Sequence, residues 1–143
     1  MNIIATDLEK KINSELGTKV KSSAIKHNQI YITINIDDLV NVATLLKTNL
    51  KLKFKQLIDI TAVDYPSNEK RFKIVYFLLS HEFNQRIIIS SFINDNEQVE
   101  TLTNIFPSAN WMEREVFDMY GVVFKNHPDL RRILTDYGFE GHP

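Results

Sequence analysis

Ile4, Leu8, Ile12 and Leu16 recur every fourth residue and Gly17 follows them. This predicts an amphipathic helix from Ile3 to Leu16 that ends at the glycine. From Ile30 the period changes to two. Ile30, Ile32, Ile34 and Ile36 alternate with Tyr31, Thr33 and Asn35, the pattern of a half-buried strand. The polar stretch from Thr18 to His27 alternates more loosely and reads as its hairpin partner across a His-Asn-Gln turn. Asp37 or Asp38 is expected to cap a second helix to about Asn49, with Leu39, Val42, Ala43, Leu45 and Leu46 inward. Strand character returns over 54–65, 71–80 and 86–93, divided by Pro66-Ser67-Asn68 and by the turn from Glu82 to Gln85. A short helix is predicted from Glu97 to Phe106, stopped by Pro107, and another from Ser108 to Gly121.

The order is therefore α-β-β-α-β-β-β, then two helices and an arm. Short links between the last three strands imply antiparallel pairing. Helices gathered on one face of a largely antiparallel sheet make a two-layer α+β domain. The platform is assigned to residues 1–126 and an extended C-terminal arm to 127–143. An uncovered apolar face would favour self-association of the isolated chain.

In the last predicted helix, Ser108 is placed as N-cap, its hydroxyl accepting from a first-turn amide. Trp111, Met112, Glu115, Val116 and Met119 are expected to share one face. Arg114 can pair with Asp118 four residues on. Glu113, Arg114 and Glu115 read as a solvated rim. The arm that follows carries His127, Asp129, Arg131, Arg132, Asp136, Tyr137, Phe139 and His142 among Pro128, Gly138, Gly141 and Pro143. Its apolar residues are too few to bury it on itself. Arg, Tyr and Phe are types found at interface cores, and Arg suits bidentate, partly buried pairing better than Lys. The arm thus reads as a segment that docks on another protein.

With 143 residues, 43% hydrophobic and 24% charged, the chain is the size of one domain with a real core. A net charge of −1 gives no field that recruits nucleic acid. The chain has no cysteine, which excludes disulfides and thiolate metal sites. No apolar run is long enough to span a bilayer as a helix. Asp7, Glu9 and Glu15 argue against a signal or transit peptide.

No Gly-rich phosphate loop and no GxSxG elbow occurs. Glu113 and Glu115 are two apart on a helix and cannot face one substrate bond together. His127, Asp129, Asp136 and His142 form the most enzyme-like set, for which a free-standing metal hydrolase is the reading; their spacing matches no compact metal motif. An isolated His27 in a turn reads as structural. The residues alone favour a non-catalytic, cofactor-free interaction domain.

The run EREVFDMYGVVFKNHPDLRRILTDYGFEGHP resembles the signature of the thirty-kilodalton subunit family of respiratory complex I, the C subunit of the bacterial NADH-quinone oxidoreductase. LIDITAVDYPSNEKRFKIVYFLLS resembles the same family, so the likeness runs from about Phe54 to Pro143. The family's pattern continues beyond Gly141-His142-Pro143 into a basic, apolar tail, whereas this sequence ends there. The resemblance implies a core subunit of the peripheral arm of a proton-translocating NADH:quinone oxidoreductase. It implies no flavin and no iron–sulfur cluster in this chain; flavin, clusters, NADH and quinone belong to partner subunits. The implied partners are the forty-nine-kilodalton subunit of complex I, which it would scaffold near the quinone end of the electron path, and neighbouring iron–sulfur subunits. The implied location is peripheral, on the cytoplasmic side of a bacterial inner membrane or the matrix side of a mitochondrial one, with membrane contact only through the complex. The equivalent small subunit of a membrane-bound hydrogenase-type complex is the alternative. Cross-subunit anchoring is assigned to Arg131, Arg132, Asp129 and Asp136, pocket filling to Tyr137 and Phe139, and orientation of the arm to Glu115, Arg114 and Asp118.

Overall fold

The computed structural model describes residues 3–130. It contains three helices, α1 (Ile3–Leu16), α2 (Leu39–Thr48) and α3 (Ala109–Tyr120). Five strands form the main sheet: β1 (Val20–Lys26), β2 (Gln29–Ile34), β3 (Gln56–Asp64), β4 (Phe72–Ser80) and β5 (Gln85–Ile93). Two short strands, β6 (Val99–Glu100) and β7 (Phe124–Lys125), pair separately and in parallel.

The sheet order is β1-β2-β5-β4-β3. The pairs β1–β2, β3–β4 and β4–β5 are antiparallel, and β2 lies parallel to β5. The sheet is thus two antiparallel units joined along one parallel seam, with α2 in the connection between them. The β1–β2 turn places both His27 and Asn28 at positive φ, 52° and 64°. That is the backbone of a two-residue turn whose twist matches its strands. At the far end of the sheet Arg71 grips Asp64 through two hydrogen bonds, Nε to Oδ1 at 2.7 Å and Nη2 to Oδ2 at 2.9 Å. The guanidinium holds the Asp64 carboxyl below its ordinary value.

The strand registers divide the sheet into two faces. Ile32, Ile89, Tyr76 and Ile60 lie in one cross-strand row and are buried. They face Leu8, Ile12 and Leu16 of α1, Leu39, Val42, Ala43 and Leu46 of α2, and Ala109 and Val116 of α3, all in one core. Burying each large aliphatic side chain contributes about 1.5–3 kcal/mol, so this single layer carries most of the folding drive. Val75 and Ile88 point the other way and stand outside that core. No described helix covers their face.

Two expectations are corrected. The segment 97–106 is not a helix: it forms β6, followed by a tight turn with Phe106 N–H donating to Leu102 O. Val99, Leu102 and Phe106 have helical spacing, but they reach the core from an extended strand and a single turn. Val99 N–H and Thr101 N–H are drawn to Val123 and Lys125 carbonyls, which a local helix would have left unpaired. Lys47 Nζ also donates to the Ile105 carbonyl while lying over the Phe106 ring, which ties this segment to α2. The second correction concerns the entry to α2. Neither aspartate caps it through its side chain; Asn35 Oδ1 accepts from Asp37 N–H at 3.2 Å and starts a short 3-10 turn over Ile36–Asp38.

Candidate functional site

The segment from α3 to the root of the arm is where sequence places function, and it is built on a buried polar cluster. α3 starts after Pro107, packs on β3, and ends at Gly121. Gly121 is left-handed, with φ 75°, and its N–H closes on the Phe117 carbonyl. That is the glycine stop the sequence predicts. Ser108 does not act as a side-chain cap. Its backbone is already helical, and its hydroxyl donates to the Leu57 carbonyl at 3.2 Å, tying the helix start to β3.

The inward face of α3 is Ala109, Met112, Glu113, Val116 and Tyr120, rotated from the stripe expected. Trp111 is 53% exposed and Met119 39% exposed. Glu113, expected on a solvated rim, is fully buried. Two donors explain how a carboxyl survives there: Thr101 Oγ1 lies 2.5 Å from Oε1 and Leu102 N–H donates to Oε2 at 2.8 Å. Both come from the β6 end that sequence read as helix.

Desolvation pushes the Glu113 carboxyl up to about 7, with the two hydrogen bonds and the charge of Glu100 as smaller influences. Tyr76 points into the same region from β4. Burial, aided by the Glu113 charge, raises its phenol well above its ordinary value. Among the described residues its hydroxyl finds no partner.

After Gly121 the chain returns through β7, turns at Asn126 (φ 66°), and delivers His127 under α3. Asn126 Nδ2 fastens this turn to Glu100 at 2.8 Å. The His127 side chain is fully buried, with Nε2 2.9 Å from the Asn110 carbonyl and Nδ1 accepting from Asp129 N–H at 2.9 Å. A carbonyl can only accept and an amide can only donate, so these partners select the neutral Nε2–H tautomer. Glu113 Oε1, 3.9 Å from Nε2, is a neighbour of the ring and not its hydrogen-bond partner. Both ring nitrogens are occupied within the protein, and neither is presented to a metal. His127 is instead an anchor that ties this turn to α3.

Of the residues assigned to partner binding, Arg131, Arg132, Asp136, Tyr137 and Phe139 lie outside the described residues. Asp129 is exposed, its backbone held to His127. Arg114 stacks over Trp111 at 5.4 Å, and its buried Nε meets no acceptor among the described residues. Glu115 is half-buried, and Asp118 is fully buried and engaged. The cluster of Glu113, Thr101 and His127 was missed as a unit. Its one sequence signal was Glu113 falling in the stripe with Ala109, Met112, Val116 and Tyr120.

Comparison with known proteins adds to this geometry. The family described as respiratory-chain NADH dehydrogenase, 30 kDa subunit, matches residues 32–143. The chain is 44% identical to the C subunit of the NADH-quinone oxidoreductase of Chelativorans sp. (strain BNC1), over all of this chain and 72% of that protein. It is 48% identical to the corresponding C subunit of Paramagnetospirillum magneticum, over 90% of this chain and 62% of that protein. Among solved structures, a trypsin-resistant fragment of Nqo5 superposes with a TM-score of 0.75 at 25% identity, covering 86% of this chain and 98% of the fragment. A chain of the membrane-bound sulfane sulfur reductase, an archaeal respiratory membrane complex, superposes with a TM-score of 0.79. It covers 94% of this chain and 79% of that one at 23% identity, a likeness of fold.

Proposed function

The chain belongs to the 30 kDa subunit family of the respiratory-chain NADH dehydrogenase, and we propose that it is a non-catalytic, cofactor-free scaffold subunit of that enzyme. Its relatives are subunits of NADH-quinone oxidoreductase, a membrane-associated complex of respiratory electron transport. No helix among the described residues is long and apolar enough to cross a membrane. In the proposed arrangement the chain sits peripherally on the cytoplasmic side. It holds the forty-nine-kilodalton subunit near the quinone end of the electron path, while flavin, iron–sulfur clusters, NADH and quinone stay on neighbouring subunits.

The observation that carries this reading is the family match running through both the platform and the arm. The geometry supports it: His127 clamps the arm's root to α3, so whatever the arm binds is referred to the sheet domain. The fold likeness to the sulfane sulfur reductase complex supports a second reading, an equivalent subunit of a related membrane complex. Deleting the chain separates the two. Under the first reading, membrane NADH:quinone reductase activity falls at least tenfold, and the forty-nine-kilodalton subunit is missing from the mature complex on native gels. Undiminished activity contradicts that reading.

A further inference from the structure

The sheet face opposite the helices is built like an interface. Tyr31, Ile88 and Phe77 lie side by side across β2, β5 and β4; Ile88 and Val75 form the buried floor, and half-buried Tyr31, Phe77 and Phe92 carry the accessible apolar surface. Ile58, Val63 and Tyr65, on and just beyond β3, are 38–39% exposed. At one end the face deepens into a cleft of about 540 Å³ between the β1–β2 turn and β3, lined by Tyr31, Phe77 and Ile88 with Arg86 at its edge. Contiguous apolar surface with aromatic and Arg side chains is the composition of an interface core, and it is rarely left to water.

The charges around this floor are lopsided. The strand registers bring Lys26, Lys73 and Arg86 to this face, and Asp59 as the carboxylate. Asp59 Oδ1 already accepts from Ile60 N–H at 2.9 Å. Lys73 lies over the Phe92 ring at 5.7 Å, and exposed Arg86 has no carboxylate partner among the described residues. A second copy of the chain would set cations against cations. The chain's own 131–143 is a poor occupant, because His127, shortly before it in sequence, is held under α3 on the other side of the sheet, and the segment opens with two arginines.

We propose that this sheet face docks a neighbouring subunit of the same enzyme, which lays an apolar segment bearing acidic side chains across it and sets a carboxylate against Arg86. The proposal rests on the reading of the chain as a subunit of the oxidoreductase.

The test uses the full chain, tagged, in its own cells. A photo-crosslinking residue at exposed Ile58 is expected to join a peptide of another subunit that carries Asp or Glu. Arg86→Glu is expected to lower recovery of the complex with the chain at least tenfold, and Arg86→Lys to retain most of it, with both purified variants melting like the wild type. If the crosslink goes to residues 131–143 or a second copy, the docking face is wrong although the subunit reading stands. The same holds if no crosslink forms, or if Arg86→Glu assembles normally, while the wild-type chain still brings the complex. If the wild-type chain brings no redox subunit, the subunit reading fails and the proposal falls with it.

Discussion

Glu113→Gln is expected to stabilise the folded chain by about 2–3 kcal/mol at pH 8 and to change it little at pH 4. The Glu113 carboxyl has an ordinary value of 4.5 and is raised to about 7 by burial. Below pH 4.5 the folded and unfolded chains both hold its proton, and ionisation costs nothing. Between 4.5 and 7 the unfolded chain releases that proton while the folded chain keeps it. Stability therefore falls as pH rises through this window, and above 7 the full penalty of about 3 kcal/mol remains. Glutamine mimics the protonated acid: its carbonyl accepts from Leu102 N–H and its amide donates to Thr101 Oγ1. Thr103 Oγ1, 3.1 Å from Thr101 Oγ1, can then take the Thr101 proton. The charge of Glu100 pushes the carboxyl in the same direction, and the His127 ring, its Nε2–H given to the Asn110 carbonyl, lies 3.9 Å away. Urea unfolding at pH 4, 6 and 8 reads the effect directly. Parallel pH profiles for the two proteins, or a less stable glutamine variant at pH 8, would contradict the assignment.

Replacing Arg131 and Arg132 together with alanine is expected to remove the chain from the solubilised complex at raised salt, leaving its own unfolding midpoint unchanged. Cutting one member of a desolvated cross-subunit pair costs about 2–5 kcal/mol, since the partner's charge stays buried without compensation. Two such losses exceed what an interface of moderate strength can absorb. His127 is locked between Asn110 and Asp129, so a folded domain with that contact intact isolates the arginines as the cause. Native gels of membranes extracted at low and raised salt provide the measurement. Undisturbed assembly of the double variant at raised salt would remove these residues from the docking account.

Much of the fold is legible because it is local. The alternation Ile30, Ile32, Ile34 gives β2, Gly17 and Gly121 mark helix ends, and short links pair β3, β4 and β5. What escapes the sequence is non-local. The parallel seam between β2 and β5 joins segments more than fifty residues apart, and no period announces it. β6 looks helical because Val99, Leu102 and Phe106 are spaced for a helix; its strand exists only through Val123 and Lys125. The error over α3 has the same source. Trp111 and Met119 look like core by type, whereas Glu113 looks like surface. The donors Thr101 Oγ1 and Leu102 N–H, which make a buried Glu113 tolerable, arrive from another segment. His127 was legible as a residue of interest, but not as a ring locked between Asn110 and Asp129.

Co-purification tests most directly whether this chain works inside a respiratory NADH:quinone oxidoreductase. The direct measurement is to tag it in its own cells, solubilise the membranes gently, and assay the purified material for flavin, iron–sulfur absorbance and NADH:quinone reductase activity. All three are expected to arrive with the chain. A chain that comes alone, or with a complex lacking NADH:quinone activity, would contradict the account.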